Sequence, residues 1–142
     1  MNRQERQEDA KNARRDEPDE LVDRRASAVI GAAIEVHRLL GPGFGESVYE
    51  EALCLELARR AIPFARQASI AVEYKGHRVG EGRVDIFVDS MLIVELKAVD
   101  ALLPIHVAQV LSYLSATKLR LGLLINFKVP KLGQGVKRVI RT

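Results

Sequence analysis

Residues 83–99, RVDIFVDSMLIVELKAV, place Asp85, Glu95 and Lys97 inside two runs that otherwise read as buried strands. The runs 83–88 and 92–98 are short and rich in β-branched and apolar residues, and Asp89-Ser90 between them reads as a hairpin turn. A chain that buries these runs must also place their charges, so the pairing register decides the chemistry. Cross-strand partners share a sheet face. A two-residue loop at Asp89-Ser90 pairs Asp85 with Val94 and sends Glu95 to the opposite face. A three-residue loop that includes Met91 sets Asp85 across from Glu95, with Lys97 one step along on the same face. The first register gives no site; the second gathers two carboxylates and an ammonium group.

Two carboxylates facing each other on a half-buried sheet repel, so a cation must offset them: Lys97, Arg83 or a metal ion. Carboxylates plus a backbone carbonyl make an all-oxygen pocket, which suits Mg²⁺ or Mn²⁺ over zinc. A divalent ion in such a pocket activates a water and clamps a phosphate oxygen. Lys97 then holds that water or the scissile phosphate. The plainer alternative is an ion-paired patch on a solvated face, since Glu-x-Lys is a common tripeptide.

With 142 residues, 47% of them hydrophobic, the chain suits one domain with a real core. Its one cysteine, Cys54, rules out a disulfide framework and a cysteine zinc site, and points to the cytoplasm. The opening stretch MNRQERQEDAKNARRDEPDE lacks the apolar centre of a signal peptide, and no run approaches membrane-spanning length. A soluble protein with no membrane partner is expected. No Asp or Glu follows Asp100, whereas Lys118, Arg120, Lys128, Lys131, Lys137, Arg138 and Arg141 do. Such a one-signed block suits a polyanion, with nucleic acid the first candidate. The absence of tryptophan argues against a platform for stacking single-stranded bases.

Residues 1–18 are charged in both signs and are expected to form a disordered tail, leaving 19–142 as the domain. Asp19 is placed to cap a helix whose apolar stripe is Leu21, Val22, Val29, Ile30, Ala33, Ile34 and Val36, with His37 capping or packing near its end. Gly41-Pro42-Gly43 stops it. A second helix starts at about Glu46 and is expected to bury Val48, Ala52, Leu53, Leu55 and Ala58. Glu46 reaches from its first turn as a third acidic ligand, or simply favours the helix dipole. An alternating strand runs over 69–74, Lys75-Gly76 turns the chain, and Gly80 and Gly82 suggest a bulge before Arg83. Leu103-Pro104 opens a third helix, with Ile105, Val107, Ala108, Leu111 and Leu114 as its packing face. His106, Gln109 and Tyr113 share a polar stripe able to bond a phosphate or orient a water. The continuous apolar run LGLLINF reads as a strand covered on both faces, followed by a short basic edge strand. This order gives a mixed α/β layer built around one sheet.

Several of these pieces together resemble the GxxExxY protein family, grouped with the PD-(D/E)XK nuclease-like superfamily. They are Gly43-x-x-Glu46-x-x-Tyr49, Tyr74-Lys75-Gly76, Arg83-x-Asp85, Glu95-x-Lys97, His106-x-x-Gln109-x-x-x-Tyr113, the strand ending Asn126-Phe127, and Lys137-Arg138. The resemblance implies a restriction-endonuclease-like core, a mixed central sheet flanked by helices. It also implies Mg²⁺-dependent phosphodiester hydrolysis, with DNA the first candidate substrate. Asp85, Glu95 and Glu46 match the metal-binding acids, Lys97 the lysine that positions water or stabilises charge, and Gln109 a catalytic polar position. His106, Tyr113, Lys137 and Arg138 match candidate substrate-binding positions. Val84 precedes the aspartate where a proline is common, and Lys128 stands where a glycine is expected.

The alternative to a nuclease is a module that binds nucleic acid or a partner protein and whose carboxylate site is structural or vestigial. A homodimer or a partner protein is compatible with the nuclease reading, because cutting both strands of a duplex needs two sites.

Overall fold

The computed structural model describes residues 20–142; the tail 1–18 and the cap expected at Asp19 lie outside the described residues. Two helices come first, α1 (Glu20–Leu40) and α2 (Glu46–Arg59). The antiparallel strands β1 (Phe64–Tyr74), β2 (His77–Val88) and β3 (Leu92–Lys97) follow. Helix α3 (Pro104–Thr117) then crosses over to β4 (Leu121–Asn126), and a 3₁₀ turn (Leu132–Gly135) leads to β5 (Val136–Ile140). The sheet order is β1-β2-β3-β4-β5, and β3 pairs with β4 in parallel, as a strand-helix-strand connection allows.

Helices cover both faces of this mixed sheet. On one face, Val29, Ala33 and Val36 of α1 and Tyr49, Leu53 and Leu57 of α2 pack against Ile86, Val94, Leu96, Leu123 and Ile125. On the other, Val110 and Leu114 of α3 pack against Ile70, Val84, Ile93, Leu124 and Val139. Every residue of β4 is buried, which is why its sequence is continuously apolar rather than alternating. Among the described residues no helix is long and apolar enough to cross a membrane.

The helix phases differ from those expected. In α2 the inward stripe is Tyr49, Leu53, Cys54 and Leu57, and Val48 and Leu55 face solvent. Tyr49 sets that phase: its ring stacks on Phe127 at 4.4 Å between centroids, and its hydroxyl donates to the Gly41 carbonyl (2.5 Å) while accepting from the Phe44 N–H (3.1 Å). In α1, Ala26 and Ala32 turn inward while Leu21 and Ile34 are exposed, and His37 packs inward near the helix end as expected. The His37 ring lies 2.9 Å from the Val129 carbonyl through Nε2 and so braces the segment before β5. In α3, Val110 rather than Ile105 or Leu111 faces the sheet, seated over Gly122, where an added Cβ would lie 2.7 Å from Val110 Cγ1.

Tyr49→Phe keeps the stack and deletes both loop bonds. It is expected to cost about 1–3 kcal/mol, read as a lower denaturant midpoint; an unchanged midpoint would refute the brace.

Candidate active site

Asp89 (φ 50°) and Ser90 (φ 54°) occupy the two left-handed positions of a type I′ turn, closed by the Met91 N–H to the Val88 carbonyl at 3.0 Å. The turn itself therefore has two residues, yet Met91 is extra. Pairing resumes as Val88↔Leu92, Phe87↔Ile93 and Ile86↔Val94. That register brings Asp85 opposite Glu95. The salt bridge from Arg25 on α1 to Asp89 (2.8 Å) holds the far end of the hairpin.

At Asp85 and Glu95 side chains replace backbone carbonyls as acceptors. The Asp85 N–H donates to Glu95 Oε1 (3.0 Å), and the Leu96 N–H donates to Asp85 Oδ2 (2.8 Å). Each carboxylate is thus fixed by the other's strand. The β1–β2 ladder is interrupted at the same level: Arg66↔Ile86 and Ala68↔Val84 pair, but Gln67 and Asp85 between them do not. Gln67 lies in the left-handed region (φ 51°), a strained conformation for a residue inside a strand. Across this break Val84 joins the α3-side core while Ile86 joins the opposite one.

Gln67 uses its amide to bridge two acids, donating from Nε2 to Glu50 Oε1 (2.5 Å) and, more weakly, to Asp85 Oδ1 (3.4 Å). Arg66 Nε donates to Glu50 Oε2 at 2.8 Å, and Arg66 also pairs with Glu51. Glu50 is therefore the helical acid that the fold ties to Asp85. Sequence reasoning missed it, although it lies one turn after Glu46 on the same stripe. Gln67 carried no signal, because glutamine does not advertise a left-handed backbone.

Glu95 is only 5% exposed. Burial, and after it the charge of Asp85, pushes its pKa up to about 8, while the Lys97 ammonium opposes the rise. The Tyr113 phenol is raised too, first by burial and then by the Glu95 charge. Gln109 donates to the Tyr113 hydroxyl at 3.1 Å, so this pair on α3 sits in the field of the two carboxylates. Tyr113 packs directly over Gly82, whose missing side chain leaves its place.

Lys97 is half-buried at the end of β3, paired in the ladder with Asn126. Asn126 Oδ1 accepts the Val99 and Lys128 N–H groups (3.0 and 3.2 Å), and its Nδ2 donates to the Val99 carbonyl (2.9 Å). This buried amide locks the chain leaving Lys97 to the chain leaving β4. Glu46 lies exposed in the first turn of α2, and among the described residues no three His, Cys, Asp or Glu side chains form a metal-holding group. Glu46 thus does not complete a three-acid cluster with Asp85 and Glu95. His106 caps its own helix, its Nδ1 accepting the Leu103 N–H at 3.0 Å. Lys137 and Arg138 point to opposite faces of β5: Lys137 lines a groove beside α3, and Arg138 pairs with Asp23 of α1 at 2.7 Å.

The donor set fits a hard divalent cation. Asp85 and Glu95 each give one oxygen to a backbone N–H, the second oxygen of Asp85 takes only the long bond from Gln67, and Mg²⁺ typically takes one or two carboxylates and keeps its waters. Their mutual repulsion is the charge imbalance that such a cation relieves.

A family model described as the PD-(D/E)XK nuclease superfamily matches residues 23–139. No curated protein and no solved structure matches the chain.

Proposed function

The chain belongs to the PD-(D/E)XK nuclease superfamily, and from that premise we propose that it hydrolyses phosphodiester bonds in nucleic acid, DNA first, with Mg²⁺ or Mn²⁺ as cofactor. The order of Gly43, Glu46 and Tyr49 with the later motifs supports a place in the GxxExxY branch. The observation that carries the reading is the register that sets buried Glu95 against Asp85, each fixed by a backbone N–H of the other's strand.

Asp85 and Glu95 would hold the ion, which when bound makes a water acidic and takes up charge on the phosphate. Lys97 places a cation in the field of Glu95, where it orients the attacking water and stabilises negative charge developing on the phosphate. Gln109 has amide groups beyond its bond to Tyr113 and, with Tyr113, positions the water or a phosphate oxygen. Glu50, held through Gln67, fixes the orientation of Asp85 and fills the supporting acidic role expected of Glu46. Of the outlying candidates, Lys137 beside α3 is the one free to contact the substrate backbone, because His106 caps its own helix, Arg138 pairs with Asp23 on the opposite face and Glu46 is exposed at the start of α2.

The test is cleavage of labelled single-stranded, duplex and branched DNA and RNA with Mg²⁺, Mn²⁺ or EDTA. Wild type is expected to cut only with metal, and Glu95→Ala and Lys97→Ala to lose at least about 10³-fold in rate. Undiminished cutting by Lys97→Ala would sink the mechanism. Metal-independent binding with no cutting by wild type would assign the chain to the binding modules.

A further inference from the structure

Beyond Ile70 and Gly82 the strands β1 and β2 leave the body of the fold. Ile70 belongs to the α3-side core and Gly82 lies under Tyr113, but from residue 71 to 81 all except half-buried Val72 are exposed. The strands nevertheless stay paired to the tip, ending with Glu73↔Arg78 and Tyr74↔His77. Lys75 (φ 49°) and Gly76 (φ 81°) form the tight turn. Between Gly80 and Arg78 the register slips, leaving Val79 as an extra residue, a bulge that adds twist. At ordinary strand rise this ribbon projects about 20 Å past Gly82. A bare two-stranded ribbon is marginal in water, so its length is not explained by stability.

Its chemistry is also uneven. The five outermost residues, YKGHR, contain Lys75, His77 and Arg78 and no acid; Glu73, just behind them, lies opposite Arg78 in the ladder. Behind them Glu81 is engaged by Arg78 (2.5 Å) and by Ser69 (2.9 Å). The Arg78–Glu81 pair is more than half exposed on both sides, so it holds the guanidinium weakly. Gly80 lies opposite Val72, has no positive φ, and has nothing within 4 Å of an added Cβ. A glycine that its own fold does not require leaves backbone bare for close approach by something else.

We propose that this ribbon is an arm that enters the major groove of double-stranded DNA while the adjoining phosphodiester meets Asp85 and Glu95. The inference rests on the nuclease reading for what lies at the arm's base, and it narrows the substrate from nucleic acid to duplex DNA. A two-stranded ribbon fits the B-form major groove, about 12 Å wide, whereas the A-form groove of duplex RNA is too narrow. β2 carries both the tip and Asp85, and the stretch from Gly76 to Asp85 spans about 30 Å, within one helical turn of about 34 Å.

The test is equilibrium binding, with Mg²⁺ and in a Lys97→Ala background so that the ligand survives. The ligands are a DNA duplex of about 30 base pairs, the RNA duplex of the same sequence, and one DNA strand. The DNA duplex is expected to bind tightest. Lys75→Ala with Arg78→Ala should weaken it about tenfold and flatten the salt dependence by about two counterions. Gly80→Val, a better strand residue with open space around it, should keep the melting temperature and still lose about tenfold. Duplex affinity unchanged in both arm variants, or a wild-type-arm preference for the RNA duplex, overturns the arm. Failure of the nuclease reading looks different: no cutting by the protein with native Lys97, with arm-dependent duplex binding intact.

Discussion

Glu95→Gln is expected to raise stability at pH 8 and to remove cleavage together. In the fold Glu95 stays protonated up to about pH 8, whereas in the unfolded chain it ionises near 4.5. Between those values the folded state binds more protons than the unfolded state, so stability falls as pH rises through the window. One pKa unit is about 1.4 kcal/mol, so the loss attributable to Glu95 is on the order of 2–4 kcal/mol. Glutamine keeps an oxygen for the Asp85 N–H but carries no charge to bury. The variant should therefore melt higher than wild type at pH 8, match it near pH 4.5, and lose the slope between. Millimolar Mg²⁺ should raise the melting temperature of wild type more than that of the variant. A variant that melts lower at pH 8, or that keeps the wild-type slope, would show that the two carboxylates are not the strained element.

Gly135→Ala is expected to be the most damaging single methyl in the chain. Gly135 is buried, and a Cβ there would overlap the backbone carbonyl of Asn126 and lie 3.1 Å from Val129 Cγ2. A backbone oxygen at the end of a buried strand cannot swing away as a side chain can. A loss above about 3 kcal/mol follows, and with it the Asn126 amide that holds the exit from Lys97. Gly133→Ala is the control, since nothing lies within 4 Å of its added Cβ. Thermal melts of the two variants decide the matter: equal melting temperatures would mean that the Gly135 contact yields.

The elements were legible where their pattern is strong; the first half of β1, from Phe64 to Ala68, lies before the strand expected over 69–74 and was not. The β4 run is continuously apolar and is buried on both faces, and proline opens α3 where expected. Register was legible only as a choice, since it turns on whether Met91 counts as loop or strand, and the answer is a tight turn followed by an extra residue. Helix phase was less legible. Apolar count favoured Leu55 and Ile105, but packing chose Tyr49 and Val110, fixed by a hydroxyl that ties a loop and by a glycine on the facing strand. Gln67 and Glu50 were not legible at all, because their partnership depends on a backbone flip that neither residue type encodes.

The crossover through α3 also sets an expected order of assembly. The β1–β2–β3 meander forms from neighbours in sequence, whereas β3 meets β4 only after an intervening helix has been threaded over the sheet. Contacts of short loop length form first and parallel pairing comes late. Asp85 and Glu95 are therefore expected to come face to face while water still screens them, and to lose that screening when α3 docks and the solvent leaves. The tension between the two acids is then expected to be set late in folding, when the α3 side of the sheet closes, and not carried through it.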